Sequence, residues 1–83
     1  MEQAFVLIRT RQDPSGHDPE FMQSVKKKLA KLQGVKEVRG VFGIYDFVAV
    51  VETESVAELG VLVTKYIKNV EGVVETDTMV VGF

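Results

Sequence analysis

The apolar run Ala4-Phe5-Val6-Leu7-Ile8 is continuous rather than alternating. Such a run predicts a strand, residues 4–10, covered on both faces and placed in the middle of a sheet. The polar stretch Gln12-Asp13-Pro14-Ser15-Gly16-His17 reads as a loop. Asp18 then caps a helix, with Pro19 at its first position and Glu20 favoured by the helix dipole. Phe21, Val25, Leu29 and Leu32 recur at helical spacing as one apolar stripe, while Lys26, Lys27, Lys28 and Lys31 take much of the remaining surface. Gly34 supplies a left-handed stop.

Residues 35–42 mix Val35, Val38 and Val41 with Lys36, Glu37 and Arg39, a partly buried pattern that suits a sheet edge. Gly43-Ile44-Tyr45 turns the chain, and residues 46–52 form a second doubly apolar strand. Ser55 and Glu58 have capping-box spacing. The helix they open carries Val56, Leu59, Val63, Ile67 and Val70 on its stripe, widened by Leu62 and Tyr66, and Gly72 ends it. A last strand spans about residues 73–81.

Residues 29–38 and 67–76 repeat weakly, each a helix end, a glycine stop and a strand start. The order βαββαβ predicts one domain over residues 1–83. It has the α+β, ferredoxin-like fold, a four-stranded antiparallel sheet with two helices on one face and the all-apolar strands one and three in the middle. Two helices cover only one face. Strands one and three are apolar on both, with Phe5 and Leu7 opposed to Val6 and Ile8, and Val48 and Val50 opposed to Phe47, Ala49 and Val51. The expected solution is a homodimer joined through the other face.

Composition supports that expectation. A chain of 83 residues buries only about 60% of its unfolded surface, so help from a second subunit is expected. There is no cysteine and one histidine, which leaves no thiolate or histidine-rich metal site, and no cofactor is expected. A net charge of -2 gives no basic field for a phosphate backbone, so direct nucleic-acid binding is not expected, and the lysine run reads as a solvated helix face. No segment has the length and apolarity of a membrane span, and Met1-Glu2-Gln3-Ala4 lacks the basic start of a signal peptide. The expected setting is soluble and cytoplasmic.

Candidate chemistry concentrates at the corner. His17 lies in a loop with no second histidine or cysteine to pair with and reads as a surface residue. Gly43 and Asp46 bracket a turn whose amides and carboxylate would hold the charged ends of an amino acid, with Thr76 and Thr78 supplying hydroxyls from one face of the last strand. The same residues also fit a plain hairpin, with the aspartate satisfying its own backbone and the threonines serving strand propensity. Both readings stand at this level.

In order and spacing, three segments resemble one family: Leu32-Gln33-Gly34-Val35-Lys36-Glu37-Val38, Gly43-Ile44-Tyr45-Asp46-Phe47, and the run from Val70-Glu71-Gly72-Val73 to Thr76-Asp77-Thr78-Met79-Val80-Val81. Across nearly the whole chain the sequence resembles the effector-binding C-terminal domain, or RAM domain, of the Lrp/AsnC (feast/famine) transcription regulators. The resemblance implies a βαββαβ domain that dimerises through its sheets, assembles further into rings, and binds small effectors, typically amino acids, between dimers. It implies that Gly43, Tyr45 and Asp46 match the family's glycine-x-tyrosine-aspartate corner, and Thr76 and Thr78 its strand-four threonines. Family regulators carry an N-terminal helix-turn-helix, and none precedes the first strand here. The expectation is therefore a stand-alone RAM protein that reaches DNA only by mixed assembly with full-length relatives.

Three functions compete at this stage. The favoured one is an effector-binding and assembly module, with Asp46 taking a ligand ammonium while turn amides and threonine hydroxyls take the carboxylate. The second is a small dimeric α+β barrel enzyme of oxygenase or isomerase type, for which Tyr45, Asp46 and His17 are the acid–base candidates. The third is an oligomeriser with an empty cleft.

Overall fold

The computed structural model describes residues 1–11 and 18–82. The predicted loop with His17 lies outside them. The chain runs β1 (Glu2–Thr10), α1 (Pro19–Ala30), β2 (Val35–Gly40), β3 (Phe47–Thr53), α2 (Val56–Val61) with a π-helical continuation (Leu62–Ile67), and β4 (Val73–Val80). The strands form one antiparallel sheet in the order β2-β3-β1-β4. Together with two helices this is the ferredoxin-like α+β fold. The two all-apolar strands are central and the mixed strand β2 is at an edge, as their patterns require.

Register decides which side chains meet the helices. Val6 stands opposite Ala49 on β3 and Thr78 on β4, and Ile8 opposite Phe47 and Thr76. Ala4, Val6 and Ile8, with Phe47, Ala49 and Val51, pack under Val25 and Leu29 of α1 and under Leu59, Leu62, Val63 and Ile67 of the second helix. Alternation sends Phe5, Leu7, Val48, Val50 and Met79 to the opposite face. Phe5 is 42% and Met79 48% exposed there, so the second apolar face is open in the single chain. Each such side chain left wet forgoes roughly 1.5–3 kcal/mol of burial.

The first cap is as the residue types dictate: Asp18 Oδ1 accepts the Glu20 amide at 2.9 Å, and Pro19 opens α1. The second differs. Ser55 Oγ accepts the Glu58 amide at 3.1 Å, but Glu58 Oε2 reaches back to the Glu54 amide, one residue beyond the cap. The second helix also departs from α geometry after Val61. Thr64 Oγ1 donates to the Gly60 carbonyl, one turn back, at 2.7 Å. The Lys68 amide bonds five residues back, to the Val63 carbonyl at 3.0 Å. Leu62 and Ile67 become inward neighbours, while Val56 and Tyr66, expected on the stripe, are exposed.

Candidate functional site

β2 and β3 are joined by residues 41–46, closed where the Val41 amide donates to the Asp46 carbonyl at 2.9 Å. Gly43 has φ 151° with open space where a side chain would stand, so its requirement for glycine is one of backbone conformation. Phe42 and Ile44 project into solvent beside it. Asp46 fastens the corner to the end of β1. Its amide donates to the Ile8 carbonyl at 2.8 Å, and its Oδ2 accepts the Thr10 amide at 2.7 Å and the Thr10 hydroxyl at 3.1 Å. Thr10 is buried, so these bonds are shielded from water.

Tyr45 goes the other way, to the open face of the sheet. Its hydroxyl lies 3.5 Å from Asp77 Oδ2, a long contact. Asp77 pairs with Leu7 and Glu75 with Arg9, so all four point away from the helices. Arg9 Nη2 meets Glu75 Oε1 at 2.7 Å, with about half of each side chain exposed. Partial burial, then the carboxylates of Asp77 and Glu75 and the bond to Asp77, push the Tyr45 phenol above its usual 10.0, with Arg9 pulling the other way. A raised phenol contributes stability that is fully present below its unfolded value and is lost as pH rises through the folded one. Alkaline titration followed by phenolate absorbance should show a late component that disappears in Tyr45→Phe. A Tyr45 component at the ordinary value would refute this environment.

Thr76 and Thr78 are half-buried on the helix side of β4. β1 separates them from the corner by two strand spacings, about 10 Å. Within one chain the structure thus places Gly43 at the solvent-facing turn, Asp46 against Thr10, Tyr45 on the open face, and the two threonines on the other. Sequence reading omitted Arg9, Glu75 and Asp77. Period-two alternation along β4 carried the signal, since residues flanking the threonines must occupy the opposite face. A groove of about 660 Å³ lies at the far end of the sheet, lined by Leu32, Lys36, Val61 and Tyr66 among others. Two of its carboxylates are already engaged, Glu58 by the Glu54 amide and Glu52 by Gln3 Nε2 at 2.7 Å, and none of the sequence-predicted site residues lines it.

Comparison with known proteins shows the family and the fold. A family model described as the Lrp/AsnC ligand binding domain matches residues 3–82. The uncharacterized HTH-type transcriptional regulator PF0250 of Pyrococcus furiosus is 35% identical over an 80-residue alignment that covers 93% of this chain and 49% of that protein. The chain thus spans about half the length of the curated regulators it matches. Among solved structures, TTHA0845 from Thermus thermophilus superposes with a TM-score of 0.84 at 38% identity, covering 100% of this chain and 95% of that one. FFRP-DM1 superposes with a TM-score of 0.78 at 30% identity, covering 99% of this chain and 100% of that one. With the family model matched from residue 3 to residue 82, the chain belongs to the Lrp/AsnC ligand binding domain family.

Proposed function

We propose that this domain is a sensor and assembly module that binds an amino acid at the 43–46 corner, dimerises through the open face of its sheet, and modulates full-length Lrp/AsnC relatives. The observation that supports it is the division of the candidate set between the two faces of one sheet, within a chain whose family is defined by ligand binding. A pocket using Gly43, Tyr45 and Asp46 together with Thr76 and Thr78 needs surface from more than one subunit. Phe5, Leu7, Val48, Val50 and Met79 give the sheet an apolar patch for a second copy, and Phe42 and Ile44 give the corner an apolar tip for a further contact. In this arrangement Asp46 and Gly43 hold the corner in shape, and Thr76 and Thr78 reach the ligand bound at a neighbouring subunit.

A thermal-shift screen of the standard amino acids, with oligomer mass measured by light scattering, tests the reading. The expected outcome is a dimer or larger assembly whose melting temperature rises with protein concentration and with at least one amino acid. Val50→Asp should yield monomers. Thr76→Val and Thr78→Val should each weaken the stabilising amino acid by about 0.5–1.5 kcal/mol, the scale of a neutral hydroxyl bond. A monomer with a concentration-independent melt and no response to any amino acid would refute the proposal.

A further inference from the structure

Resting on the amino-acid reading above, we infer that Arg9 and Asp77 form a zwitterion clamp on the open face, Asp77 taking the ligand's α-ammonium and Arg9 its α-carboxylate. The Asp46 carboxylate already receives the Thr10 amide and hydroxyl, so its chemistry is committed to the corner. Asp77, by contrast, is exposed on β4, its Oδ2 meeting the Tyr45 hydroxyl only at 3.5 Å. That contact is long enough for an ammonium donor to improve on it. Leu7 pairs with Asp77 and Arg9 with Glu75, which makes Arg9 and Asp77 diagonal neighbours on the same face. Diagonal positions stand about 7–8 Å apart, a span that lets an α-amino group meet the short Asp77 side chain while its carboxylate meets the long Arg9 side chain.

Arg9 is half exposed and uses Nη2 on Glu75, which leaves other donors of its planar fork for a ligand carboxylate. Exposed pairs such as Arg9–Glu75 hold weakly, so the guanidinium can turn to a better-placed anion. The Tyr45 phenol stays protonated in the physiological range and offers its hydroxyl beside Asp77. Leu7, next in line on the same face, offers an apolar surface to a ligand side chain. The ligand class that follows is an α-amino acid with both termini free. Because the clamp stands at the corner end of the apolar patch, the ligand would sit at the rim of the sheet-to-sheet contact.

The test compares each stabilising amino acid with its N-acetyl and α-carboxamide derivatives, by calorimetry on the parent, Asp77→Asn and Arg9→Gln. On the parent both derivatives should bind about tenfold or more weakly than the free amino acid. Asp77→Asn should bind the free amino acid about tenfold more weakly and no longer distinguish it from the N-acetyl derivative, and Arg9→Gln should lose the distinction from the carboxamide. Both positions are exposed, and unchanged melting of the unliganded variants confirms that the fold is intact. If amino acids bind but Asp77→Asn keeps parental affinity and selectivity, the clamp is wrong and the sensor reading survives. If no amino acid binds the parent, both fall.

Discussion

Asp46→Ala should destabilise the domain by about 2–4 kcal/mol, whatever it does to ligand binding. The carboxylate accepts the Thr10 amide at 2.7 Å and the Thr10 hydroxyl at 3.1 Å, and Thr10 is 2% exposed. Removing the acceptor strands a buried N–H, which costs about 1–3 kcal/mol, more when the lost partner was charged. The hydroxyl loses less. It can turn to Met22 Sδ, 3.6 Å away, though a thioether is a weak acceptor. Thr10→Val, which removes only the hydroxyl, should therefore cost about 0.5–1.5 kcal/mol. A double-mutant cycle on Asp46 and Thr10 should return a non-zero coupling, because the two side chains touch. Urea melts at one fixed protomer concentration measure all three. An Asp46→Ala protein as stable as the parent would show that the corner does not depend on this anchor.

Gly72→Ala should produce a loss of similar size, about 2–5 kcal/mol, from two independent causes. Gly72 has φ +100°, a left-handed conformation that an L side chain adopts at a cost of about 1–2 kcal/mol. Its added Cβ would also run into the Phe21 ring, at Cζ and at 2.9 Å from Cε1, with Val25 Cγ2 at 3.3 Å. Phe21 is not free to yield without consequence, because the Arg11 guanidinium stacks over its ring at 4.9 Å and the Arg11 amide donates to the Gly72 carbonyl at 2.9 Å. Pairing Gly72→Ala with Phe21→Ala separates the causes. The Phe21 part of the crowding cost should vanish in that background, while the conformational cost and the Val25 contact persist. Gly60 is the contrast: it lies inside α2, has ordinary φ and meets nothing within 4 Å, so Gly60→Ala should stabilise by about 0.5–1 kcal/mol. Equal effects at the two glycines would mean that neither the positive φ nor the Phe21 contact constrains Gly72, and this account of it would be wrong.

The element order, the caps at Asp18 and Ser55, the edge position of β2 and the central positions of β1 and β3 are legible in the residues alone. These follow from local rules: apolar runs against mixed runs, an oxygen-bearing side chain placed before a first helical turn, and the ferredoxin-like connection order. The sequence also named Gly43, Tyr45 and Asp46 as one corner, because they are adjacent in the chain. Where their side chains go is set by the folded chain. Asp46 turns to Thr10, 36 residues away, and Tyr45 to Asp77, 32 residues away, and such pairings depend on strand register rather than on any local pattern. The same register put Thr76 and Thr78 on one face of the sheet and Glu75 and Asp77 on the other, where Arg9 joins them. Val56, in the first turn of α2, and Tyr66, in the π-helical continuation, are exposed, departures that an apolar stripe at regular spacing does not register.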